Sequence, residues 1–398
     1  MPQPLELAEA QARLFALAAP LSTETLAIDE ACGRYLAAPL RARRRQPAAD
    51  LSAMDGYAVA GHEGPWRVIG ESAAGHPFAG ATGAGEAVRI STGALLPEGA
   101  SAVLLQEDCA REGGLVRLTG TPPQPFERHI RRAGRDFDVD DAVLAQGVRI
   151  GPAQLALAIA AGHATLAVRP RPRLAIIDCG DELARPGEPC PPHRLPASNG
   201  PMLAALARTE PCIVTRIGPV ADDRAALVAA FEATGATDII VTSGGASVGD
   251  HDLLRPALAD WGAAIDWWKV AIKPGKPLLV ARRGATIVLG LPGNPASSFV
   301  TAHLFLLPLL RAFAGAARLH PGRLTARLAA PLAATGGRRE FLRAHWDGAR
   351  IAPVGNQDSG TLSSLALANS FIDRPARAAA LAAGEEVEAF LTEGGTIA

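Results

Sequence analysis

Between residues 171 and 314, short apolar runs alternate with helix-length segments, and this rhythm constrains the fold more than any compositional total. Apolar runs at 174–178, 213–217, 238–242, 265–270, 278–281 and 286–289 have strand length. Between and after them lie helical patterns at 199–208, at 222–234 with Gly235 as its stop, at 252–260, and beyond Pro295. Ser198 or Asn199 is the expected cap of the first. Strand–helix alternation of this kind specifies a doubly wound, parallel α/β sheet. In such sheets ligands bind beyond the carboxyl ends of the strands.

Three glycine-bearing loops fall at those ends. They are Gly180-Asp181-Glu182, the run from Ser243, Gly244 and Gly245 through Ser247 to Asp252, and Pro292-Gly293-Asn294. Glycine lets a backbone approach a ligand closely, and free N–H groups at a helix start suit an anion. Three such loops on one sheet point to a phosphate-bearing or nucleotide-like ligand, with Asp252 able to hold a metal that neutralises phosphate.

The flanks read differently. Residues 1–46 carry a helical pattern ending in the basic run Arg43 to Arg45. From 47 to 134, β-rich runs (66–69, 87–90, 102–105, 115–118) are punctuated by Gly and Pro. Helical character returns at 152–161, so 1–46 and 135–170 are expected to form one discontinuous unit around a β-rich insert at 47–134. The α/β unit spans 171–315, and 316–398 returns to short strands, as in a small β-barrel.

Composition narrows the function. The formal net charge is −1, which excludes a wholesale polyanion binder and nucleic acid as a partner. Five cysteines without a CxxC pair argue against a disulfide framework or structural zinc. The most apolar stretch, 299–310, is short and interrupted by His303 and Pro308, so a buried core helix is expected there rather than a membrane span. The chain reads as a cytoplasmic protein with no membrane partner.

Lysine usage is more telling. Of 39 basic residues only three are lysine, and all lie in one window, Lys269, Lys273 and Lys276. In a chain that elsewhere uses arginine, the survivors mark sites needing a compact, hydrated point charge instead of a planar fork. Strand alternation would set Lys269 and Lys273 on one face, and the Pro274-Gly275 turn would return Lys276 toward them. Three convergent ammonium groups repel one another unless an anion lies between them.

Taken together, the segments SAMDGYAV, RISTGALLPEGASAVLLQED, RRAGRDF, GDEL, SNGPMLAAL, SGGASVGDHD, KVAIKPGKP, GLPGNPASS, REFLRA and GNQDSG resemble, in order, the molybdopterin molybdenumtransferases of the MoeA and gephyrin E-domain type. The resemblance implies a multidomain α/β fold. A central doubly wound molybdopterin-binding domain would carry a β-rich inserted domain and a C-terminal small β-barrel, in a homodimer with a shared cleft. It implies insertion of molybdate into adenylylated molybdopterin with Mg²⁺-dependent cleavage of the pyrophosphate bond and release of AMP, and contact with other cofactor-biosynthesis proteins. Other readings are a molybdopterin adenylyltransferase or a non-catalytic dimeric scaffold.

By the same resemblance, Lys273, Lys276, Ser297, Arg343 and Ser359 hold molybdate with Ser247 nearby, and Asp222 and Asp252 hold Mg²⁺. Asp55, Thr92 and Asp136 match functional positions, Asp55 and Asp136 acting across the dimer cleft, and Glu182 is assigned to the pterin. Lys269 is grouped with the catalytic lysines, while Ser243, Gly244, Gly245, Pro292, Gly293 and Asn294 bind substrate. Three departures stand out: Cys179 for the usual threonine, Asp358 for a glycine before Ser359, and Gly200 after Asn199. A carboxylate at 358 would repel a dianion unless turned away.

Overall fold

The computed structural model describes residues 4–244 and 253–392. Its centre is a six-stranded sheet in the order Ile213–Val220, Arg173–Cys179, Ile239–Ser243, Thr286–Leu291, Pro277–Arg283, Ala264–Lys269. The first four strands are parallel, as expected. The fifth runs against them and the sixth, antiparallel to the fifth, runs with them again, so the sheet is mixed. The reason is local: Arg283 and Thr286 pair across Gly284 (φ +61°), a connection far too short for a parallel crossover.

Strand Arg173–Cys179 is buried on both faces after its first residue, the pattern of a strand covered by helices on each side. Asn199–Ala207 and the long helix Pro295–Phe313 pack on one face, and Arg224–Ala233 with Leu254–Asp260 on the other. The helix expected from 222 starts at Arg224, because Asp223 caps it by accepting the Ala226 N–H at 2.8 Å. Gly235, at φ +61°, follows its end. Ser198 sits at the N-cap position of Asn199–Ala207 but its side chain makes no capping bond.

Pro295–Phe313 is apolar enough to cross a membrane, yet 89% of it is buried inside the protein, as a core helix. A π-turn at Ala302–Leu306 precedes Pro308. Proline has no N–H to give and its ring crowds the carbonyl four residues back, so a widened turn there lets the helix continue.

The N-terminal helix is only Leu7–Ala16. Glu24–Ala27 instead pairs antiparallel with Thr165–Val168, and Leu40–Arg41 with Ala142–Leu144. The helical reading of 1–46 fails beyond Pro20, where long-range pairing overrides local pattern. Between these pairs lies a six-stranded sheet, Ala102–Leu105, Gly56–Val59, Glu86–Ile90, Trp66–Ser72, Leu115–Leu118, Cys109–Glu112.

At the other end, Arg339–Trp346, Arg350–Pro353, Arg323–Leu328, Glu386–Leu391 and Ser370–Arg374 form a barrel, closed by pairing of the last with the first. The two-residue strand Ile272–Lys273 joins its edge at Arg339 and Glu340. Closure removes free edges from this small sheet.

Candidate functional site

The loops at the carboxyl ends of the parallel strands touch one another. After Arg173–Cys179, Gly180 (φ +146°) turns the chain so that the Glu182 carboxylate folds back, 2.4 Å from where a Cβ on Gly180 would lie. The neighbouring loop after Ile213–Val220 brings Asp222 against Asp181. The Asp222 N–H donates to Asp181 Oδ1 at 3.1 Å, and the Asp181 N–H to Asp222 Oδ2 at 3.4 Å. Asp181 lies in a loop the sequence singled out, but its partnership with Asp222 was not foreseen. The only available signal was its adjacency to Glu182, and nothing local ties it to residue 222.

The third loop is close-packed. Gly244 (φ +96°) leaves no room for a side chain, because its Cβ would lie 2.6 Å from the Cys179 carbonyl oxygen. Its N–H donates to the Leu291 carbonyl at 3.3 Å, locking the Ser243–Gly244 turn to the Pro292-Gly293-Asn294 loop. Asn199 Nδ2 donates to the Gly293 carbonyl at 2.6 Å. Gly245, Ser247 and Asp252 lie outside the described residues.

Asn294 stands at the N-cap of the Pro295 helix, and its Nδ2 reaches Ser359 Oγ at 3.1 Å. The Ala296 N–H donates to the Ser359 carbonyl at 3.0 Å, so barrel and α/β unit meet at this residue. Ser297 is buried one turn further on.

The lysines arrive differently from the sequence expectation. Lys269 ends the central sheet's edge strand, whereas Lys273 belongs to the short strand on the barrel. The chain between them bonds to Leu5 on one side and to Arg339 on the other, breaking the alternation that would have set both lysines on one face. Lys273 pairs with Glu340 at 3.3 Å. Burial, and then the neighbouring Lys276 and Arg255 charges, hold the Lys269 ammonium below its usual pKa. Gly275 (φ +102°) lets this turn press on the Pro295 helix, its Cβ position 2.5 Å from Thr301 Cγ2.

Arg343 is 1% exposed. Its Nη2 donates to the Asn356 carbonyl at 2.9 Å, but Nε and Nη1 are buried without partners among the described residues. Burial lowers its pKa, against the Asp358 charge. Two unpaired donors on a buried cation are ready to receive an anion. The Asp358 carboxylate accepts the Gly360 N–H at 2.9 Å, turned onto its own loop.

A second group lies in the N-terminal half. Asp55 Oδ1 accepts the Thr92 N–H at 2.5 Å and the Thr92 hydroxyl at 2.9 Å. These two bonds, with Arg89 adding a smaller share, hold its pKa below the carboxylate norm. Asp136 lines a separate cavity of about 320 Å³ with Arg131 and Arg135. The Asp55–Thr92 bonds and the Asp136 N–H to the Gln46 carbonyl stay within this half. Among the described residues no three metal-ligating side chains converge.

Glycine turns at parallel strand ends, a lysine pair and a buried arginine with free donors define an α/β protein built to hold phosphate-type and oxyanionic ligands. Comparison with known proteins is in keeping with that class. Models of the MoeA N-terminal region (domains I and II), a probable molybdopterin binding domain and the MoeA C-terminal region (domain IV) match residues 5–162, 175–312 and 325–391. The molybdopterin molybdenumtransferase of Haemophilus influenzae is 33% identical over 92% of this chain and 93% of its own length. Molybdopterin molybdenumtransferase 2 of Mycobacterium tuberculosis is 35% identical over 92% and 94%. A solved molybdopterin biosynthesis MoeA protein from Pyrococcus horikoshii superposes with a TM-score of 0.83 at 26% identity, covering 98% of this chain and all of that one. The chain belongs to the molybdopterin molybdenumtransferase family.

Proposed function

We propose that this enzyme completes molybdenum cofactor by inserting molybdate into adenylylated molybdopterin, with cleavage of the pyrophosphate bond and release of AMP. The observation that carries the reading is Arg343, a buried guanidinium with two unpaired donors in the barrel strand whose own start pairs with Lys273. Molybdate is a tetrahedral dianion and needs such donors. Lys273, Lys276, Arg343, Ser297 and Ser359 surround it, and Lys269 raises the local positive potential. The loops at Ser243, Gly244, Pro292, Gly293 and Asn294 offer backbone to the pyrophosphate, and Glu182 faces the pterin.

Asp181 and Asp222, locked together through their backbones, keep carboxylate oxygens for a hard cation, and Mg²⁺ commonly uses one or two carboxylates and keeps its waters. Asp222, with Asp252 beyond the described residues, would hold it. Bound there, Mg²⁺ supplies charge neutralisation at the phosphates.

The unit formed by 1–46 and 135–170 carries the insert 47–134, and Asp55, Thr92 and Asp136 complete the cleft of a second copy in a homodimer. These residues belong to the insert and the N-terminal unit, whereas Lys269 and Lys273 belong to the central sheet and the barrel, which supports this arrangement. The adenylyltransferase reading is not favoured, because the molybdenumtransferase relatives run nearly the full length of the chain. The test mixes protein, adenylylated molybdopterin and Mg²⁺, and follows AMP with and without molybdate. Molybdate-dependent AMP release with active cofactor is the expected result. Tight binding without turnover would replace it with the scaffold reading.

A further inference from the structure

Away from this cleft, a cavity of about 360 Å³ lies where the N-terminal unit, the α/β unit and the barrel meet. Each contributes one arginine to its wall: Arg149, Arg311 and Arg323 respectively. Two buried carboxylates serve this cluster, and both are shared. Glu210 takes Arg311 Nε at 2.7 Å, Arg149 Nη1 at 3.9 Å and the Tyr35 hydroxyl at 2.9 Å. Asp373 takes both donors of Arg339 at 2.6 Å and Arg323 at 3.2 Å. Arg149, Arg311, Arg323 and Arg339 thus share Glu210 and Asp373, with Glu6 also acting on Arg339, which leaves positive charge in excess beside a partly apolar wall of Leu307, Leu324 and Leu391.

Two neighbouring imidazoles register the excess. His303, in the cavity wall, and His320 are both held below the usual histidine pKa, by burial first and then by the arginine charges. Like charges gathered at an apolar wall are stabilised when an anion enters, because the low local dielectric strengthens each contact. The volume lies in the range of small-molecule sites and exceeds what a bare oxyanion fills.

We propose that this junction is a second ligand site, taking a phosphoryl dianion, free or carried on a small organic ester, which clamps the barrel against the rest of the chain. The proposal does not rest on molybdate insertion. Its test is calorimetric titration of the full chain with inorganic phosphate and with glycerol 3-phosphate. Lys276→Ala serves as a control that weakens the cleft. Saturable binding is expected to persist in Lys276→Ala and to weaken roughly tenfold or more in Arg149→Gln and in Arg323→Gln, the loss of one charge-assisted contact. Tighter binding of the ester identifies the apolar wall as part of the site, and equal binding identifies the free ion.

Absence of saturable binding, or binding abolished by Lys276→Ala and unmoved by the arginine variants, overturns the proposal. Both arginines are about half exposed, and the Arg311–Glu210 pair is left intact in the variants. If either variant fails to fold, phenylglyoxal modification of the wild-type protein decides. Ligand should slow reaction at Arg149 and Arg323, and unchanged reaction there counts against the site.

Discussion

The Asp178 carboxylate occupies the space that a side chain at residue 200 would need: a Cβ on Gly200 would lie 2.0 Å from Oδ2, 2.6 Å from Cγ and 2.7 Å from Oδ1. Asp178 is 3% exposed and lies 3.6 Å from Arg216. The glycine after Asn199 is thus the complement of an aspartate at the end of the first parallel strand. The pair sets the start of the helix from which Asn199 reaches the Gly293 carbonyl.

Gly200→Ala is expected to destabilise by about 1–3 kcal/mol, although alanine is the better helix former, because the whole carboxylate must swing away. In an Asp178→Ser background the same change should be neutral or stabilising. A double-mutant cycle in urea measures the coupling. Additive effects would show that the two positions do not compete for space.

Burial also raises the Asp178 pKa above 3.8, outweighing Arg216 and the Gly200 N–H. A carboxyl whose folded pKa is raised favours the native state while protonated, and that contribution is lost as pH rises from about the unfolded value through the folded one. Asp178→Asn should therefore gain on wild type across this window, read as the difference in unfolding free energy between acid and neutral pH. A pH-independent difference would contradict the assignment.

How much of this was legible beforehand depends on range. Apolar runs and the glycines following them located the parallel strands and the cleft, because burial on both faces and positive φ leave local marks. The lysine window was legible as a cluster, but its division between Lys269 on the central sheet and Lys273 on the barrel was not. That division depends on bonds to Leu5 and Arg339, remote in sequence. Asp181 against Asp222 was hidden for the same reason. The antiparallel pairing around Gly284 was mistaken because a strand's apolar pattern does not encode its direction.

Thr92→Val keeps the N–H that holds Asp55 but removes the hydroxyl bond. The Asp55 pKa should rise toward the ordinary carboxylate value, moving the acid limb of molybdate-dependent AMP release to higher pH. Asp55→Asn should lower the rate without that shifted limb. An acid limb identical in wild type and Thr92→Val would remove Asp55 from the ionisations that matter.

Lys276→Arg is expected to lose nearly as much activity as Lys276→Ala, on the order of a hundredfold. The backbone here is fixed by the Lys276 carbonyl accepting the Val270 N–H at 3.2 Å and by Gly275 against Thr301. A longer planar head cannot be accommodated by shifting the turn. Steady-state AMP release compares the three proteins, and full activity of the arginine variant would end the argument from lysine usage.

His303 gives the chain an acid sensitivity independent of catalysis. It is 3% exposed, stacked between Phe299 and Phe390, and its pKa is pushed from 6.5 down to about 4, by burial first and the Arg311 charge second. Below pH 6.5 the unfolded chain takes up a proton that the native imidazole refuses, so stability present above that pH is lost as pH falls toward 4. The loss approaches roughly 3 kcal/mol. His303→Gln cannot titrate and should remove this part of the slope while lowering stability at neutral pH through poorer stacking. Urea midpoints of both proteins at pH 7.5, 6, 5 and 4 make the comparison. Parallel curves would mean that His303 is protonated in the folded state and that the aromatic stack tolerates a charge.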